Sequence, residues 1–187
     1  SQEVSSIVIK NIKRAAELIQ NFKQIAVDQS TEEFTIIDLH DYVDDILLSL
    51  HPKIKKTQIE ISNHCTHHLS LNTNPGAIYQ IISNLILNSL IHAYDDNEPG
   101  KIDIQAQNDK NLIKLIYSDD GKGIPEKHLK KIFDPFFTTR RGSGGSGLGL
   151  HIIYNLVNNT LKGSIRAESH PGKGSQFILT LPLLNEP

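Results

Sequence analysis

Asn84 and Asn88 lie four residues apart in "NLILNSLIHA", a stretch that is otherwise almost wholly apolar. With Gln80 they form one polar line on a helix, because positions four apart stand one above the other. A buried amide without partners costs about 1–3 kcal/mol. The line therefore either caps neighbouring backbone groups or faces something polar outside the core. Further on, "DDGKGIP" at 119–125 sets Asp119, Gly121 and Gly123 in a D-x-G-x-G spacing directly after an alternating segment. Glycines there permit positive φ and let the backbone approach a flat ligand closely. A carboxylate beside them accepts hydrogen bonds from an amino group of the kind an adenine offers, although the same residues also suit a tight turn. The third group is "GGSGLGL", 144–150, in which Gly145, Gly147 and Gly149 open a helix. Their backbone N–H groups are free to face an anion at its positive end, although such loops are also often no more than flexible. Between these groups, "FDPFFTTRR" offers Phe133, Phe136 and Phe137 as anchors for a mobile loop over 138–145. Arg140 and Arg141 within it either reach phosphate or are solvated.

The elements that must hold these groups are legible from periodicity. Val8, Ile12, Ala15, Ile19, Phe22 and Ala26 recur at alternating spacings of four and three, with Leu18 and Ile25 widening the stripe. That is a heptad-like helix over 3–28 that wants a partner helix. A polar break, "DQSTEE", follows and reads as a linker, giving a helix over 1–28, a linker over 29–37 and a domain over 38–187. "DLHDYVDDILLSL" is helical, with Asp38 as N-cap and Leu39, Val43, Ile46, Leu47 and Leu50 inward. "TQIEIS" alternates as a strand does. The asparagine helix spans 76–94, with Ile78, Ile82, Leu85 and Ile86 on its core side. "KIDIQAQ" and "NLIKLIYS" alternate around "NDKN" as a hairpin. "LGLHIIYNLVNNTL" is the last helix, and "GSIRAES" and "SQFILTLPL" close the chain as a second hairpin. Helices and mostly antiparallel strands mix irregularly, which favours an α+β sandwich with one sheet face covered by helices.

Composition narrows the function class. The 187 residues are 38% hydrophobic and 21% charged, ordinary for a soluble globular protein. The net charge of −2, from 19 basic and 21 acidic residues, gives no global attraction to nucleic acid or an anionic membrane. The single cysteine, Cys65, excludes an intrachain disulfide and fits a reducing compartment. No apolar run of about 18 residues is present, and no signal-peptide pattern opens the chain. A start without Met, already inside a helical pattern, reads as a piece excised from a longer protein.

In order, the amide helix, D-x-G-x-G, F-x-P-F and G-x-G-x-G-L make a sequence that resembles the catalytic, ATP-binding domain of sensor histidine kinases of two-component systems. The corresponding boxes are named N, G1, F and G2. The resemblance covers 38–182, includes the closing "GSIRAESHPGKGSQFILTLP", and extends weakly to the first helix. It implies a two-layer α/β sandwich, the Bergerat ATP-binding fold, with a long helix before it. It also implies ATP and Mg²⁺ as cofactors. Asn88 would give its side-chain oxygen to the metal, a hard neutral ligand for an ion otherwise held by phosphates and water. Asn84 would line the same site, orienting metal-bound water. Asp119 would take the adenine amino group, with Gly121 and Gly123 packed near the base. Gly145, Ser146, Gly147, Leu148 and Gly149 would hold the phosphates, Ser146 adding a hydroxyl. The family often has a basic residue three positions after the metal-binding asparagine, where this chain has Ile91; His92, next along, is set to stack on the nucleotide or touch phosphate. Position 74, often aspartate in the family, is Asn74 and is assigned only to helix capping.

The resemblance implies transfer of the γ-phosphoryl of ATP to a histidine on a dimerisation helix, for relay to a response regulator receiver domain. Such an acceptor histidine is followed by an acidic residue, then a basic residue and a proline. His40 begins that pattern in "HDY" and fails it in "VDD", so it reads as a helix-end histidine. The heptad helix looks like the second dimerisation helix, with the first absent. The chain should then bind nucleotide without labelling itself, and the whole protein should be a cytoplasmic homodimer or the cytoplasmic part of a membrane-bound sensor. His64, Cys65, His67 and His68 of "HCTHH" are metal-ligand types without a second ligand cluster, and read as a polar turn between strands. Two other readings stay open. A hydrolytic ATPase of the gyrase or mismatch-repair kind carries a glutamate where this chain has Asn84, since attack by water needs a general base. A nucleotide-dependent docking module would need the same cleft and no transfer.

Overall fold

The computed structural model of the chain describes residues 5, 7–9, 12, 33–139 and 147–183. Ser5, Ile7, Val8, Ile9 and Ile12 are helical, and the four apolar ones are exposed. The rest of the helix expected over 3–28 lies outside the described residues. Strand β1 (Thr35–Asp38) falls at the end of the segment read from sequence as linker. It pairs antiparallel with β3 (Ser70–Thr73), Thr35 opposite Thr73 and Asp38 opposite Ser70. Four residues carry little alternation, and the partner is distant in sequence, so nothing local announces this strand.

Asp38 ends β1 and starts helix α1 (Leu39–Ile54), its Oδ1 accepting the backbone N–H of His40 at 3.0 Å and of Asp41 at 3.3 Å. Leu39, Val43, Ile46 and Leu50 form its buried stripe. Strand β2 (Ile59–Asn63) leads through β3 to helix α2 (Pro75–His92). Pro75 opens that helix, where its missing N–H costs nothing, and Asn74 Oδ1 caps it by accepting the Ala77 N–H at 3.0 Å. Ile78, Ile82, Leu85 and Ile86 are all at most 1% exposed, as their spacing requires.

Strands β4 (Gly100–Asp109) and β5 (Leu112–Asp119) form the first expected hairpin, Ile102 opposite Asp119. A short helix, α3 (Glu126–Leu129), follows. Helix α4 (Gly149–Asn155) widens into a π-helical turn over Leu156–Thr160. The closing hairpin is β6 (Ser164–Ser169) with β7 (Ser175–Pro182). The five-stranded sheet runs β2-β4-β5-β7-β6, parallel only between β2 and β4. Ile102, Ile104, Ile113, Leu115, Tyr117, Phe177 and Leu179 share one face and one core with α1, α2 and α4, while Lys101, Gln105 and Arg166 on the other face are exposed. This is the expected α+β sandwich with helices on one side.

Asn74 sets where α2 begins, and α2 carries both asparagines. Replacing it (Asn74→Ala) should cost about 1 kcal/mol, the usual value of a lost cap. Urea unfolding with an unchanged m-value would read this; a midpoint equal to the parent's would mean that the cap contributes nothing.

Candidate functional site

The three motifs meet at a cleft of about 680 Å³, within the range of small-molecule sites. Asn84, Asn88 and His92 of α2 line one wall. Asp119 and Gly123, at and beyond the end of β5, line a second, and Gly147 and Gly149 at the start of α4 a third. Gln80, one turn before Asn84, is buried and is not part of the cleft lining. Asn84 Nδ2 and Asn88 Nδ2 are both buried and make no hydrogen bond. The amide nitrogens therefore do not cap neighbouring backbone, and two polar groups stay ready at the cleft wall.

Gly149 is what brings α4 against Asn88. A Cβ at that position would lie 3.3 Å from Asn88 Oδ1 and 3.4 Å from Nδ2. Gly147 has φ +70°, and a side chain there would meet the Phe136 carbonyl carbon at 2.6 Å and oxygen at 2.8 Å. The positive φ disfavours any other residue, and the approach to the Phe136 backbone leaves no room for a Cβ. Gly121 lies against Ala93 and not in the cleft lining; its N–H serves Asp119 instead. Leu148 is 2% exposed and packs into the core between the two cleft glycines. Arg140, Arg141, Gly145 and Ser146, with most of the loop expected over 138–145, lie outside the described residues; Thr138 and Thr139 line the cleft. Phe133 and Phe137 pack on the core as expected. Phe136 does not act as an anchor: it is half-exposed, with φ +64°.

Asp119 is 7% exposed and the one carboxylate among the described cleft-lining residues. Its Oδ1 accepts the Gly121 N–H at 3.1 Å, and its Oδ2 accepts the Ser89 hydroxyl at 3.1 Å. Ser89 in turn accepts the hydroxyl of Tyr117 at 2.9 Å. Burial pushes the Asp119 pKa above the usual carboxylate range, with Asp120 adding to it; hydrogen bonds from the backbone of Gly121, from Ser89 and from the backbone of Ser175 oppose the rise. Ser89 and Tyr117 were not singled out from sequence, yet both left a signal. Ser89 sits four after Leu85 and seven after Ile82, on the apolar side of its helix. Tyr117 shares the inward alternation of Ile113, Leu115 and Asp119. Lys122 and His128 also line the cleft unforeseen; Lys122 Nζ lies 3.9 Å from Asp95 Oδ1 at the rim.

The histidine-rich turn lies between β2 and β3. His64 Nδ1 is 2.7 Å from Asp103 Oδ2, the His67 ring is 3.9 Å from that of His40, and Cys65 is buried with its thiol pushed up to about 12. Among the described residues, no three His, Cys, Asp or Glu side chains are grouped to hold a metal ion. His40 Nδ1 bonds the Cys65 carbonyl at 3.0 Å, and its Nε2 lies 3.7 Å from Asp44.

Residues 73–185 match the family described as histidine kinase-, DNA gyrase B- and HSP90-like ATPase, and the chain belongs to that family. Within it, the chain is similar to the catalytic domain of histidine kinase ThkA, at 30% identity and a TM-score of 0.71, covering 81% of this chain and 96% of that one. It is 28% identical over 177 residues to sporulation kinase A of Bacillus subtilis, covering 94% of this chain and 28% of that protein. ThkA in complex with the response regulator TrrA matches with a TM-score of 0.74 at 26% identity, covering 92% of this chain and 49% of that one. The domain is thus a histidine-kinase catalytic domain. The chain spans less than a third of the length of the curated relatives it matches. Among the described residues, no helix is long and apolar enough to cross a membrane.

Because the folded-state pKa of Asp119 lies above its unfolded value, its stabilising contribution is complete below the unfolded value and is lost as pH rises through the folded one. At neutral pH the ionised carboxylate in the ligand-free cleft is therefore a cost. The melting temperature of the parent should lose this contribution as pH rises from acid to neutral. Asp119→Asn, which cannot titrate, should lack that part of the pH dependence, whatever fixed offset follows from replacing one of two acceptor oxygens by an NH₂ group. Thermal unfolding of both proteins followed by circular dichroism from acid to neutral reads the difference in slope, and parallel curves would contradict it.

Proposed function

We propose that this domain binds ATP with Mg²⁺ in the cleft and transfers the γ-phosphoryl group to a histidine on a dimerisation helix, for relay to a response regulator. The observation that carries the reading is the pair of half-buried, cleft-lining amides, Asn84 and Asn88, whose buried nitrogens have no hydrogen-bond partner, with Asn88 against the glycine-led start of α4. An empty apolar pocket has no reason to keep two such groups. A site for a cation carried on phosphates does: the amide nitrogens are donors for phosphate or metal-bound water, and the amide oxygen is a hard, neutral ligand that adds no charge beside a triphosphate.

In this reading Asn88 gives its oxygen to the metal, and Asn84 orients water bound to it. Bound Mg²⁺ supplies neutralisation of charge on the β- and γ-phosphates. Asp119 accepts the exocyclic amine of the base. The open main chain at Gly147 and Gly149 admits the phosphates, with Gly145, Ser146, Arg140 and Arg141 completing that side, the Leu148 side chain anchoring the segment in the core, and His92 stacking on the nucleotide or touching phosphate. The domain's own contribution is positioning and exclusion of water, with no covalent step on the protein. Hydrolysis is the weaker reading. It needs a base near the γ-phosphate, Asn84 cannot take a proton, and in this reading Asp119, the one carboxylate among the described cleft-lining residues, is at the adenine end. The exposed Ile7, Val8, Ile9 and Ile12 support a helix that pairs with a second copy, and the ThkA–TrrA complex supports a receiver domain as partner.

Isothermal calorimetry tests the reading. The parent protein should bind ATP more tightly with Mg²⁺ than without, and Asn88→Ala should abolish that difference, weakening Mg²⁺–ATP binding about tenfold or more, the size of one lost charge-assisted contact. A folded protein that gives no heat with Mg²⁺–ATP would sink the proposal. With γ-labelled ATP, His40 should stay unlabelled, because its ring is 14% exposed, tilted against the ring of His67 and bonded to the Cys65 carbonyl.

A further inference from the structure

Helix α2 contains two buried serines that behave differently. Ser83 makes the ordinary local bond of a helical serine, donating to the Gln80 carbonyl at 3.2 Å. Ser89 forgoes that bond and donates across to Asp119 Oδ2, while its own oxygen receives the Tyr117 hydroxyl. An ionised carboxylate only accepts and each hydroxyl has a single proton, so with Asp119 charged the direction of the chain is fixed. Tyr117 occupies the acceptor side of Ser89, and the Ser89 proton is left to point at the carboxylate. The three residues are 1%, 4% and 7% exposed, so water does not substitute for any link.

We propose that Ser89 and Tyr117 are specificity-determining positioning residues, whose hydroxyls in series hold Asp119 as an acceptor and so make the cleft select an amino-bearing base over its oxo counterpart. The inference rests on the nucleotide reading above. An ionised Asp119 accepts from a 6-aminopurine and repels a 6-oxopurine. A protonated one offers an O–H that suits the oxo group. Burial drives Asp119 towards the second state, and the Gly121 N–H, the hydroxyl chain and the Ser175 N–H pull it back towards the first. Sites that pair a polar group in this way reject the mismatched analogue strongly, because a buried partner is left unpaired. The ionisable groups around the carboxyl are Asp120 beside it, Tyr94 beyond the end of α2 and Tyr117 on β5, with Lys122, His92 and His128 on the cleft walls.

ADP and IDP differ at the 6-position, an amino against an oxo group, and calorimetry with both on the full chain is the test. The parent should prefer ADP by about a hundredfold. Ser89→Ala should shrink that ratio by about tenfold, mostly through weaker ADP binding, and Tyr117→Phe by a few-fold. Because Tyr117 acts only through Ser89, the double variant should be no worse than Ser89→Ala alone. The pH at which ADP affinity is half lost on acidification should rise in both single variants. Carboxyl-carbon NMR of ligand-free Asp119 should report the same upward shift. A ratio and a pH midpoint equal to the parent's, or additive losses in the double variant, would overturn the relay while leaving nucleotide binding intact. Failure of the parent to bind ADP would instead overturn the nucleotide reading and the relay with it. Should Ser89→Ala not fold, Tyr117→Phe, which removes one oxygen, decides the matter on ratio and pH midpoint.

Discussion

A carboxylate taken almost wholly out of water costs several kcal/mol unless donors surround it. At Asp119 those donors come from separate parts of the fold: Ser89 on α2, itself held by Tyr117, Gly121 on the loop after β5, and the backbone of Ser175 on β7. Meeting that demand ties helix to sheet at one point, and the cleft opens beside it. The bonds do not cancel the desolvation, and the carboxyl stays inclined to hold a proton. In the proposed reading a ligand amine would complete what the protein leaves incomplete, and a stability cost would become binding specificity.

Helix α2 is divided lengthwise between two tasks. Ile78, Ile82, Leu85 and Ile86 are sealed in the core, so the helix cannot rotate or slide without opening a cavity. That rigidity aims Asn84 and Asn88 into the cleft. Across from them, α4 begins where two glycines let the backbone come close, and a methyl group at position 149 would already press on the Asn88 amide. The polar side of one helix and the bare start of another thus face each other because apolar packing elsewhere gives them no alternative.

Much of this was written in local pattern. Alternation in β4, β5, β6 and β7 and the four-residue spacing in α2 need only the geometry of strand and helix, and the caps Asp38 and Asn74 are side chains reaching their own neighbours. What local pattern did not reveal was contact between distant segments. Strand β1 exists through its pairing with β3 and was read as linker. Leu148 and Gly121, inside motifs that suggest ligand contact, face the core and Ala93. Phe136, an aromatic between two core-packing neighbours, turns outwards with positive φ.

The sequence by itself therefore determined the elements other than β1, β3 and α3, their buried faces and the residue types that the proposed ligand would need, since each of these follows from periods of two and 3.6 and from side-chain chemistry. Tertiary structure alone decided that Ser89 bonds Asp119 and not its own helix, that Gly149 abuts Asn88, and that the two amide nitrogens stay unpaired. Those outcomes depend on how α2, β5 and α4 dock, and docking is a sum over the whole core that no short stretch of chain contains.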